Sequence, residues 1–149
     1  MLGYLVSIEN DEGVIEISSE NEGEACTVNS VEFKMNTIDD TTRNRSDEVR
    51  AELTICGNIY NENKDNTLNM LKWAIDSNNK TVYRTVDVKV YDTANMTGNV
   101  LRHYQLANMF VIDYSENKPN KDSKASEALE YTMKLAQKAG KHELGVYTN

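Results

Sequence analysis

Proline is almost missing from this chain: Pro119 is the only one in 149 residues. No Pro- or Gly-rich low-complexity stretch divides the sequence and no repeat recurs, so a single domain over 1–149 is expected, long enough to enclose its own core. Histidine and cysteine are equally scarce, with two of each. His103 and His142 stand outside any Cys- or His-containing ligand spacing, which points away from the usual zinc sites. Cys26 and Cys56 lie in alternating apolar segments and read as two reduced, buried thiols rather than a disulfide. Cations are outnumbered, with 16 Lys and Arg against 24 Asp and Glu and a formal net charge of −8. Such a surface is poorly suited to gripping nucleic-acid phosphates or an anionic membrane, so no sequence-specific nucleic-acid binding is expected.

Long apolar runs are missing too. Nothing approaches the ~20 residues of a membrane-spanning helix, so no direct membrane insertion is expected. The N-terminal "MLGYLVSIENDEG" has no basic segment and its apolar part ends within a few residues, unlike a secretory signal. Cytoplasmic assembly without a signal peptide is the expectation. The sequons beginning at Asn44, Asn79 and Asn95 should then remain unmodified.

Catalytic signatures complete the absences. The chain has no GxSxG, phosphate loop, dinucleotide glycine pattern or HExxH. "NENKDN" copies the first alternate ligands of a calcium loop at Asn61, Asn63 and Asp65. It then has Asn66 where that loop needs glycine and Lys72 where it needs a bidentate glutamate. The acidic runs Glu9–Glu12 and Glu20–Glu24 read as solvated turns. No metal, cofactor or enzymatic activity is expected.

What the sequence has in quantity is alternation. Leu2, Tyr4, Val6 and Ile8 share one strand face, a turn follows at Asn10–Gly13, and Val14, Ile15 and Ile17 re-enter. Ala25 to Met35 alternates with a one-residue slip at Asn29–Ser30 that reads as a β-bulge. "EVRAELTICGNIY" places Val49, Ala51, Leu53 and Ile55 on one face. Val86, Val88 and Val90 do the same before a Thr93–Asn99 turn and a long second strand to Tyr114, with a bulge at Ala107–Asn108. Asn66 to Asp76, "NTLNMLKWAID", changes period: Leu68, Leu71, Ala74 and Ile75 define a helical face that Met70 and Trp73 widen. Between two strands, Asn36 to Glu48 holds one apolar residue and reads as a long exposed loop. "KDSKASEALEYTMKLAQKAGK" is ambiguous, favouring helix by propensity while alternating as a strand would.

From "EVRAELTICGNI" through "NTLNMLKWAIDSNNKTVYRTVDVKVYDTANMTGNVLRHYQLANMFVIDYSE", this order of strand, helix, hairpin and long strand resembles the tube proteins of contractile injection machines. These comprise the haemolysin-coregulated protein (Hcp) of type VI secretion, the tube subunits of extracellular injection particles, and phage tail-tube proteins. The resemblance implies a mainly β fold of two packed antiparallel sheets forming a β-barrel with one short α-helix. It turns Ala128 to Leu135 into a strand against its own helix propensity. It further implies homohexameric rings that stack into a tube, partnered by sheath, baseplate or spike, and effector proteins, the subunits being expelled by a contracting sheath. Ring formation would use up exposed strand edges by pairing them with neighbours. The loop's Thr37, Asp39, Asp40, Arg43, Arg45, Asp47 and Glu48 would set register at the subunit or ring contact through complementary charges. An acidic lumen would let effector or DNA pass without sticking. Two other readings remain: a monomeric β-sandwich binding a protein or carbohydrate through its loops, and an enzyme built on dispersed acids such as Asp87, Asp92 and Asp113.

Overall fold

A computed structural model describes residues 2–19, 27–37, 49–60, 64–117, 129–138 and 144–147. In chain order the elements are β1 (Gly3–Asn10), β2 (Gly13–Ser18), β3 (Ser30–Thr37), β4 (Val49–Ile59), α1 (Lys64–Ala74), β5 (Arg84–Tyr91), β6 (Val100–Asn117), β7 (Leu129–Gln137) and β8 (Leu144–Tyr147). All strand pairings are antiparallel and run in the order β2-β1-β5-β6-β7-β4-β3, with β8 added to β6. The path does not close on itself, but one long strand divides it into two facing layers. The first half of β6 pairs β5 and β8, and its second half pairs β7.

β6 turns the corner between layers at two bulges. Arg84 faces Met109 and Val86 faces Leu106, so Ala107 and Asn108 together oppose Thr85. Asn108 takes φ 59°, a left-handed conformation that asparagine tolerates better than most residues. Its carbonyl accepts the Lys138 N–H at 2.8 Å, and the Ala107 carbonyl accepts the Gln137 side chain at 3.0 Å. The bulge read from the sequence at this step is therefore present. A second one leaves Ile112 unpaired and exposed, which moves burial from Val111 to Tyr114.

Alternation explains the core. Val6, Ile8, Ile15, Ile17, Ala51, Leu53, Ile55, Val86, Val88, Tyr131, Met133 and Leu135 are all buried and belong to one cluster. The layers must curl to share it. Phe33 on β3 stacks on Tyr104 of β6 with ring centroids 4.3 Å apart, although β7 and β4 lie between them in the sheet. Three strand spacings laid flat would separate them by about 14 Å. The strand expected at Ala128–Leu135 is β7, so long-range pairing with β4 and β6 overrides local helix propensity there.

The two ends of the sheet are stitched by Thr27–Asn29. Thr27 and Val28 donate N–H groups to the Ser18 carbonyl at the end of β2, and Asn29 donates to the Cys56 carbonyl of β4. Tyr131, 1% exposed, donates its hydroxyl to the Thr27 carbonyl from inside the core. Removing that donor with Tyr131→Phe strands a buried carbonyl. The variant is expected to lose about 1–3 kcal/mol in urea unfolding; an unchanged midpoint would show that the stitch carries no stability.

Several expectations change. The slip at Asn29–Ser30 is the junction between this stitch and β3, not a bulge inside one strand. Asn36 and Thr37 belong to β3, paired with Arg50 and Val49, rather than to the loop. Cys56 alternates out of phase with the buried Ile55 and Gly57, so its thiol is half-buried on the outer side, 3.7 Å from the Thr132 hydroxyl. The helix runs Lys64–Ala74, and its buried stripe is Thr67, Met70 and Trp73. Leu68 and Ile75, assigned to the buried face by period alone, are exposed. The large ring of Trp73 claims the contact with the sheet and rotates the helix around it. Cys26, His142, Asn61, Asn63 and loop residues 38–48 lie outside the described residues.

Candidate functional site

Outward-facing positions on the two layers are mostly polar, with Leu5 and the exposed Ile112 among the exceptions. On the first, Ser7, Glu9, Glu16, Thr85, Asp87, Lys89 and His103 surround a shallow hollow of about 300 Å³. Register places Asp87 opposite both Ser7 and Gln105, and Lys89 opposite His103. His103 Nε2 lies 2.7 and 2.8 Å from the two Asp87 carboxylate oxygens, and the Gln105 amide reaches the same carboxylate at 3.4 Å. On the second layer, Lys34 faces Glu52 and Asp113 faces Lys134. Opposite charges directly across a strand pair support the sheet. The second face sets Glu32, Glu52 and Asp113 against Lys34 and Lys134, whereas the first sets Glu9, Glu16 and Asp87 against Lys89, with Asp87 held by His103.

The three acids considered for catalysis do not converge. Asp87 is held by His103, and Asp113 stands on the other layer across from Lys134. Asp92 accepts the Asn99 N–H at 2.9 Å and so shapes the turn beside Gly98. Among the described residues, no group of three or more His, Cys, Asp or Glu is placed to hold a metal ion. Asp65 of the calcium-loop mimic lies in the first turn of α1, where a carboxylate favours the helix N-terminus.

Two features are built for contact rather than chemistry. The outer edges of β2 and β3 have no strand partner among the described residues, and neither does the outer edge of β8. Free edges present rows of unpaired N–H and C=O groups, a template for adding a strand from another chain. Near the start of β1, an apolar groove of about 470 Å³ is lined by Leu2, Tyr4, Val31, Phe33, Val90, Leu101 and Tyr104, with Arg102 at its side. The sequence signalled these residues as strand faces. It gave no sign of the groove, because the groove exists only where the curl brings β3 over β6.

This architecture of two layers sharing one long bent strand, seated under one helix, is the fold of Hcp-like tail-tube proteins. An Hcp protein known from its crystal structure is 13% identical over 99% of this chain and 98% of its own, with a TM-score of 0.61. Hcp1 from Flavobacterium johnsoniae is 13% identical over 97% of this chain and 99% of its own, at 0.51. A chain of the PVC sheath–tube complex, an extracellular contractile injection system in its extended state, is 11% identical over 98% of this chain and 88% of its own, at 0.52. No family model matches the sequence, and no curated protein does. At this identity the likeness is one of fold alone. No helix among the described residues is long and apolar enough to cross a membrane.

Proposed function

We propose that this chain is the inner-tube subunit of a contractile injection machine or phage-tail-like particle, a structural protein and not an enzyme. It forms homohexameric rings that stack, and the lumen carries effector or DNA. The observation that carries the reading is the match over nearly the full length of both chains to an Hcp protein, on a sheet whose β2 and β3 edges have no strand partner among the described residues. Sheath, baseplate or spike, and effector proteins of the same machine are the partners.

The loop's place in the fold supports its role at the ring contact. β3 is an edge strand among the described residues and its last residue, Thr37, pairs with Val49, the first of β4, so the chain leaves and re-enters the described structure at that edge on either side of residues 38–48. Asp39, Asp40, Arg43, Arg45, Asp47 and Glu48, with Thr37 at the loop's base, would meet complementary charges on an adjacent subunit or ring. The first outer layer, with its carboxylate excess, suits a lumen wall that a polyanion or acidic effector passes without adhering.

Native mass spectrometry with negative-stain microscopy tests the assembly, with six-membered rings expected. A chain that stays monomeric at high concentration would count decisively against it. Reversing both loop cations with Arg43→Glu and Arg45→Glu is expected to raise the concentration needed for assembly by about tenfold, or ~1.4 kcal/mol. Unchanged assembly would remove the loop from the contact.

A further inference from the structure

At the start of β5, the Arg84 Nε has no acceptor among the described residues. The Arg84 guanidinium carbon lies 5.4 Å from the centre of the Trp73 ring, and its Nε is closed off from solvent without a hydrogen-bond partner. Burial pushes the guanidinium pKa down, and the Asp76 and Glu12 charges only partly oppose that. Asp76 is already engaged: one oxygen accepts the Asn78 N–H at 2.9 Å and the other the Thr81 hydroxyl at 2.7 Å. Those bonds, the first above all, hold its carboxyl below the usual range. A desolvated polar group left unpaired is costly, and native structures usually supply it with a partner.

The enclosed Nε is out of a docking partner's reach, but the half-exposed remainder of the Arg84 side chain is not. Arg84 opens onto a groove of about 460 Å³ whose wall also carries Lys72 and Asn69 of α1. Neither of these side chains hydrogen-bonds to a described residue. The groove is also lined by Gly13, Val14 and Ile15, the beginning of β2, whose outer edge has no strand partner among the described residues. Val14 is 58% exposed and Ile75, just past the helix, 74%. An arginine stacked on an aromatic ring beside exposed aliphatic residues is the composition of interface anchor points. A guanidinium fork matches a carboxylate, while Glu12 and Asp76 on the groove wall disfavour a doubly charged phosphate. A second copy of this acidic chain has carboxylates in surplus.

We propose that Arg84, assisted by Lys72 and Asn69, receives a side-chain carboxylate from a second copy of this chain docked along the free edge of β2. This rests on the ring reading above. The full chain is compared with Arg84→Gln, Arg84→Lys and Glu12→Gln by native mass spectrometry over a concentration series, with melting temperatures in parallel. Arg84→Gln is expected to raise the assembly midpoint at least tenfold without lowering the monomer's melting temperature. Arg84→Lys, which keeps the charge and loses the fork, should fall between. Glu12→Gln should leave the midpoint unchanged or lower it. Rings that form from Arg84→Gln at the wild-type midpoint overturn the carboxylate site and leave the ring reading standing. A wild type without rings overturns the ring reading and, with it, the second-copy occupant. A melting temperature lowered equally in Arg84→Gln and Glu12→Gln, with unchanged assembly, assigns Glu12 as the intramolecular partner and also overturns the proposal.

Discussion

Gly57→Ala is expected to destabilise the chain by about 3 kcal/mol or more. A methyl at this position of β4 would overlap the Thr27 carbonyl oxygen and crowd the Tyr131 ring. Two effects compete, and their sizes decide the sign. Replacing glycine by alanine in a strand interior ordinarily gains about 0.5–1 kcal/mol of backbone entropy. Here the obstacle is main chain, and that main chain is the stitch holding β2 to β4. Moving it disturbs the Thr27 and Val28 bonds to Ser18, the Asn29 bond to Cys56 and the Tyr131 hydroxyl bond together. The entropy gain is smaller than the loss of any two of these. Urea unfolding followed by Trp73 fluorescence measures the change, and a variant as stable as the parent would mean that the sheet ends are not joined in this way. Gly57 is needed here for close approach.

Trp73→Ala is expected to cost about 3–5 kcal/mol, the range for deleting a large buried aromatic side chain. Trp73 is fully buried, and its indole N–H donates to the Val82 carbonyl at 2.8 Å. One side chain thus seats α1 on the sheet and ties it to the segment leading into β5. Circular dichroism should show the helical signal lost at lower denaturant than in the parent, since the helix has only Thr67 and Met70 left as buried residues. An eleven-residue helix is marginal in water without packing. Trp73→Phe keeps much of the ring but orphans the Val82 carbonyl, and should cost about 1–3 kcal/mol. If the alanine variant unfolds at the parent midpoint, α1 contributes nothing to the core.

The helix also shows where periodicity fails. Leu68, Leu71, Ala74 and Ile75 match a 3.6-residue period as well as Thr67, Met70 and Trp73 do. A sequence holds both stripes, and only the sheet beneath selects one, because a single tryptophan outweighs several smaller side chains in buried area. The exposed Ile75 that results immediately precedes Asp76, which lines the Arg84 groove. Arg84 itself carried no signal in the sequence. Its neighbours Lys72 and Asn69 come from α1 and Val14 from β2, both far from it in sequence.

The sequence by itself determined the β class, the alternating faces, the bulge at Ala107–Asn108 and the absence of recognisable catalytic motifs, all of which are local patterns. Local pattern left the strand at Leu129–Gln137 open against helix, and only the family resemblance favoured it; tertiary structure alone decided that Thr27–Asn29 joins β2 to β4 and that Phe33 meets Tyr104. Each of those depends on partners far away in the chain. Local propensity fixes which face of a strand is apolar, but only long-range pairing fixes which strands share a core and which edges stay open.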